Sequence, residues 1–111
     1  MASPKTRNDY PVIYEPAKTI VSGAKAVALA GTAEQVTATE TACKFVYLSA
    51  DLGNTNPVVV GDSSVVAANS SQQGLVLVPG NPPFPLEIDD LSSLYVDAQT
   101  NGDRLCYAYV V

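Results

Sequence analysis

The chain has 111 residues, a formal net charge of −5 and no histidine. Hydrophobic residues make up 47% of it and charged residues 15%, well below the roughly 25% charged share of an average soluble domain. This composition excludes a disordered chain, which needs many charges and few apolar groups. It leaves no basic footprint for a phosphate backbone, so nucleic acid is not an expected partner. With histidine absent, the usual general base and the commonest transition-metal ligand are both missing, and an enzyme is not expected.

The opening Met1-Ala2-Ser3-Pro4-Lys5 lacks the apolar h-region of a secretory signal. The longest strongly apolar runs, Val58 to Val60 and Val76 to Val78, fall far short of the roughly 18 residues of a membrane helix. Synthesis in the cytosol with no membrane partner is therefore expected.

Residues 1–22 read as an extended N-terminal arm. They contain Pro4, Pro11 and Pro16, and each proline pushes its predecessor toward extended geometry. Between the prolines lie Tyr10, Val12, Ile13 and Tyr14, an apolar stretch that suits docking on a partner or a neighbouring protomer better than a frayed terminus. The arm carries Lys5, Arg7 and Lys18 against Asp9 and Glu15, a net of +1, and the remainder carries Lys25, Lys44 and Arg104 against nine acids, a net of −6.

Residues 23–111 read as short strands punctuated by turns. Ala24 to Leu29 and Gln35 to Ala38 flank a break at Ala30-Gly31-Thr32. Cys43 to Ala50 has the β-branched and aromatic content of a strand, with Cys43, Phe45 and Tyr47 on one face and Lys44, Val46 and Leu48 on the other. After the loop Asp51 to Pro57 comes a strand at Val58 to Val60, then a turn at Gly61-Asp62-Ser63-Ser64, with Val65 to Ala67 as a hairpin continuation. Leu75 to Val78 follows a polar loop, and Pro79-Gly80-Asn81-Pro82-Pro83 reverses the chain. Phe84, Leu86 and Ile88 alternate with Pro85, Glu87 and Asp89, and Pro85 places this strand at a sheet edge. Asp89 to Ser93 suits a single helical turn capped by Asp. Leu94 to Ala98 and Arg104 to Val111 are the last strands, joined through the hairpin-type Asn101-Gly102. About eight strands at this spacing define an all-β fold, a small antiparallel β-sandwich or barrel.

A search for chemistry finds little. No phosphate-cradling glycine loop, Gly-x-Ser-x-Gly elbow or His-Glu-x-x-His is present, so no catalytic residue, cofactor or metal is assigned. Glu87, Asp89 and Asp90 cluster, but acids at a strand end running into a turn are ordinarily solvated, and calcium needs several converging oxygens. Asp62 reads as turn chemistry. Cys43 and Cys106 form no Cys-x-x-Cys pair; they are buried thiols, a disulfide within the chain or a link between chains. Six tyrosines against two phenylalanines and no tryptophan fit core or interface packing more readily than a sugar-stacking platform.

Several segments together resemble a family. Ala42 to Leu48, Asn54-Thr55-Asn56 before Val58 to Ser63, Gly74 to Gly80, Ile88, Leu91 to Ala98, Asn101-Gly102-Asp103 and Leu105 to Val111 are similar in order and spacing to a small β-domain of tailed-phage virion proteins. The resemblance covers about residues 31–111 and rests on no invariant motif. It implies a non-enzymatic structural protein on the capsid exterior, made in the host cytoplasm. Such a protein is a capsid decoration (cement) protein that stabilises the head, or a head-fibre anchor. The implied partners are the major capsid protein and further copies of itself in a homotrimer, reached through a terminal arm, here Tyr10, Val12, Ile13 and Tyr14. The absence of a fibre extension after Val111 favours decoration. A tail or baseplate component and a carbohydrate-binding module are the alternatives.

Overall fold

Alternation of buried and more exposed side chains, the period of a pleated strand, is plain along Phe45–Ala50. The computed structural model describes residues 16–111; the arm residues Tyr10, Val12, Ile13 and Tyr14 lie outside them. Eight strands run through the described residues: β1 (Ile20–Ala26), β2 (Glu34–Gln35), β3 (Phe45–Ala50), β4 (Val58–Gly61), β5 (Leu75–Leu77), β6 (Phe84–Leu86), β7 (Tyr95–Ala98) and β8 (Arg104–Val110). Two single turns of 3-10 helix, Asn69–Ser71 and Leu91–Ser93, interrupt them.

The strands form two antiparallel four-stranded sheets, ordered β1-β8-β3-β6 and β2-β7-β4-β5. Each of β1/β8, β2/β7, β3/β6 and β4/β5 is a ladder of neighbours, so the chain is wound as one long ribbon folded over itself. That is the jelly-roll arrangement of a two-sheet sandwich.

Between the sheets Val46, Leu48 and Ala50 of β3 and Leu105 of β8 meet Val58 and Val60 of β4, Leu77 of β5 and Val96 and Ala98 of β7 in one buried cluster. Tyr107 and Tyr109 pack against its margin, their rings stacked 6.2 Å apart. A second, smaller cluster of Val59, Val65 and Ala67 lies on the other side of β4, with Ala33 and Tyr95 against it. The loop after β4 covers the outside of that sheet to make it. Gly74 lets this loop return closely: its φ is +124°, and a Cβ there would stand 2.7 Å from the Val60 carbonyl oxygen.

The all-β sandwich expected from the sequence is the observed fold, with differences at element boundaries. β1 begins at Ile20, so residues 20–22, read as arm, are ladder residues paired with Val110, Tyr109 and Ala108. The same strand stops at Ala26 and does not run on to Leu29. Ala28 and Leu29 turn their N–H groups onto the Glu34 carboxylate, and Ala30 donates to Asn101 Oδ1, which takes them out of a ladder. The Gln35 to Ala38 strand shrinks to Glu34–Gln35, because only two residues find partners on β7. Val65 to Ala67 makes no strand; Val66 forms one isolated bridge to Gln73. Pro85 sits on the edge strand β6 opposite Tyr47, in keeping with its missing N–H. Asp90 caps the Leu91–Ser93 turn by accepting from the Ser92 N–H.

Candidate docking surface

The carboxylates hold the structure together. Asp90 Oδ1 accepts from the Thr41 N–H and from both the N–H and the hydroxyl of Ser92. These bonds, that from Thr41 foremost, hold its carboxyl below the ordinary aspartate range. Glu87 and Asp89 border an open depression with Cys43, Lys44 and Ile88. No group of three His, Cys, Asp or Glu among the described residues is placed to hold a metal ion. Asp62 is depressed by the Ser64 hydroxyl and N–H, the turn role read for it.

Two acids missed in the sequence are buried fasteners. Asp97, on β7, is 1% exposed and accepts from the Gly31 N–H at 2.9 Å and the Ala67 N–H at 2.9 Å. One carboxylate thus ties the β1–β2 loop and the β4–β5 loop onto the outside of the sheet. Asp103 accepts from the N–H groups of Thr55 and Asn56 and fixes the β3–β4 loop in the same way. The only sequence signal for either was an acid placed inside or beside a strand.

The cysteines fall in different environments. Cys43 is buried, and its thiol donates to the Ile88 carbonyl at 3.2 Å. Burial first, then the nearby Asp90 and Asp89 charges, push that thiol's pKa upward. Cys106 is half-buried on β8 opposite Ser49. Both thiols are free.

The candidate surface is the outward face of the β1-β8-β3-β6 sheet. Because Val46 and Leu48 point into the core, Phe45, Tyr47 and Ser49 point away from it. On β8 the same alternation turns Cys106, Ala108 and Val110 outward, and these stand opposite Ser49, Tyr47 and Phe45. β1 contributes Ile20, Ser22 and Ala24 in register with Val110, Ala108 and Cys106, and Pro85 lies beside Tyr47. None of these positions is charged; Arg104, turned outward at the start of β8 by the same alternation, is ion-paired to Asp51 at 2.8 Å. Ile20 is 67% and Tyr47 44% exposed, and Phe45 and Tyr47 stack at 5.5 Å. The outer face of a solvated antiparallel sheet ordinarily alternates to polar residues, so this run of uncharged, partly aromatic positions is a candidate interaction surface.

No family model and no curated protein matches the chain. Among solved structures it is similar to a chain described under "Bacillus endospore appendages form a novel family of disulfide-linked pili", at 16% identity and a TM-score of 0.40, over 94% of this chain and 99% of that one. A likeness of that size carries no argument about function.

Proposed function

We propose that the chain is a non-enzymatic structural subunit of a particle surface, a capsid decoration protein that binds the major capsid protein lattice as a homotrimer. The observation that supports this reading most is the neutral outer face of the β1-β8-β3-β6 sheet, with Ile20 and Tyr47 exposed on it. A jelly-roll body whose outer sheet face is uncharged at its centre suits burial against a protein lattice, where apolar contact supplies affinity at the centre of the patch. The sequence resemblance to phage virion β-domains supports the same reading.

The test is co-sedimentation of the purified protein with capsids lacking it. Tyr47→Glu and Ala108→Glu would each place an unpaired charge in the middle of the contact, a change that costs several kcal/mol when buried. Both variants are expected to remain in the supernatant while keeping the far-UV spectrum of the parent. Sedimentation equal to the parent would remove the reading. The exposed Tyr47, stacked on the half-buried Phe45, also suits a sugar-stacking platform; a glycan that binds the parent and not Tyr47→Ser would carry that second reading instead.

A further inference from the structure

Of the four strands that end a sheet, three carry a feature that discourages another strand from pairing there. On β1, Lys25 stands at an inward register position, opposite Leu105, and is ion-paired to Glu34 at 3.1 Å. β2 is two residues long and carries Glu34. β6 has Pro85 at its centre. Inward charges, short length and proline are the devices by which natural sheets blunt their edges. β5 has none of them. Its sequence is Leu75-Val76-Leu77, residues 63–86 contain no charged residue, and no described residue pairs with its second edge. Leu75, Val76 and Val78 are 40–42% exposed.

Beside that edge, where β5 turns into β6, the two sheets leave a recess of about 130 Å³. Val76, Leu77, Val78, Phe84 and Ala50 line it, with Asn81 at its rim. A cavity of roughly 150 Å³ accepts a benzene ring, so this one has the size for a single aromatic or branched side chain.

The sequence supplies one segment that matches both features. Tyr10-Pro11-Val12-Ile13-Tyr14 is five residues long, uncharged, bounded by Asp9 and Glu15, and carries two aromatic rings. Its length matches an edge running from Leu75 to Val78. The same chain is badly placed to deliver it. The Pro16 carbonyl accepts from Lys44 Nζ at 3.3 Å, next to the start of β3, whereas the recess lies by Ser49 and Ala50 at the end of that strand. Those points are separated by about 17 Å along the strand; the two residues from Tyr14 to Pro16 span at most about 7 Å, so Tyr14 of the same chain falls short, and the six residues from Tyr10 span at most about 20 Å, only at full extension.

We propose that residues 10–14 of one copy add as a strand to the β5 edge of a second copy, with Tyr14 seated in the recess beside Phe84. Backbone hydrogen bonds to the open edge supply affinity and the recess supplies register, the logic of strand addition. This contact is between copies of the chain and does not depend on the capsid reading.

The experiment uses full-length chains and needs no capsid. Size-exclusion chromatography with light scattering is run on the parent, on an arm variant (V12D/I13D), on an edge variant (Val76→Lys) and on a 1:1 mixture of the two. The parent is expected to exceed the monomer mass, and each variant alone to elute as a monomer with an unchanged far-UV spectrum. The mixture is expected to give a dimer, because the intact arm of one variant meets the intact edge of the other. Val78→Lys, outside the ladder, repeats the edge test should Val76→Lys disturb folding. A monomeric parent, an arm variant that still associates, or a mixture that stays monomeric would each overturn the proposal; the second would mean that another part of the molecule covers β5.

Discussion

Cys43 precedes β3 by two residues, whereas Cys106 stands opposite Ser49 near the far end of the same strand. The register thus separates the two cysteines by six residues along the sheet, about 20 Å, and a disulfide requires Cα atoms within about 7 Å. Of the three states open from the sequence, a bond within the folded chain is removed, and the two thiols differ in accessibility. Cys43 is buried, donates to Ile88 and has its pKa raised by burial and by Asp90 and Asp89, so little thiolate is present near neutral pH. Cys106 lies half-exposed on the outer sheet face. Alkylation of the native protein with iodoacetamide at pH 8 should modify Cys106 first, Cys43 following only in denaturant. Mass spectrometry of the modified peptides checks this; equal native rates at both sites would contradict the burial of Cys43.

Asp97 makes a stability prediction that the sequence alone did not. Its two oxygens satisfy the Gly31 and Ala67 N–H groups from two different loops. Asp97→Ala would leave both donors without a partner at a site where Asp97 is 1% exposed. An unsatisfied buried donor costs about 1–3 kcal/mol, so the loss is expected at about 3 kcal/mol, read as a lower urea midpoint. Because the two loops cover the outer side of β4 and β7, the variant should also show faster amide exchange around residues 28–33 and 65–69. A midpoint within experimental error of the parent would show that these loops are held by other contacts.

The division of β3 into two faces was legible in the sequence, because strand alternation is a local property: Val46 and Leu48 against Phe45 and Tyr47; which of them looks inward is set by the facing sheet. The edge position of Pro85 and the Asp90 cap followed from backbone chemistry alone. Ile20 to Ser22 were misassigned because the prolines before them dominate the local signal, whereas their strand character comes from pairing with residues 108–110, nearly ninety positions later. Asp97 and Asp103 escaped for the same reason, since the amides they bind belong to distant loops. The neutral sheet face needed the register of three strands at once, and no single segment displays it.

Acid sensitivity follows from four carboxylates held below their ordinary range. Asp51 is lowered by the Gly53 N–H and by Arg104, Asp62 by Ser64, and Asp90 by Thr41 and Ser92. Burial of Glu34 pushes its pKa up, but the Leu29 and Ala28 N–H groups and Lys25 together outweigh that and lower it. A group whose folded pKa lies below its unfolded value of about 4 stabilises the fold above that value and loses the contribution as pH falls through the folded one. With no histidine in the chain, the urea midpoint should be nearly level between pH 5 and pH 7 and should drop by pH 3. Asp90→Asn, which has no charge to lose, should show a smaller drop from pH 5 to pH 3 than the parent. A midpoint that rises on acidification would contradict the assignment.

Gly74 is the backbone position on which the β4–β5 connection turns, and its replacement tests the packing of that loop directly. Its φ of +124° is one that L residues rarely adopt, and a Cβ would meet the Val60 oxygen at 2.7 Å and the Val59 and Val65 methyl groups at 2.8 Å. Two of those three atoms belong to β4, which is held between β7 and β5 and cannot retreat, so the loop itself must move. Gly74→Ala is therefore expected to cost about 2–3 kcal/mol, combining backbone strain with overpacking. The displaced loop would draw Val65 and Ala67 away from Val59 and loosen β5 at the edge that residue 76 presents. Gly61→Ala is the matched control. It lies at the end of β4, and its Cβ would meet the Val65 side chain at an ordinary 3.7 Å. The pair is read by urea denaturation, and a Gly74→Ala midpoint no lower than that of Gly61→Ala would mean that the loop is free to relax around the new methyl.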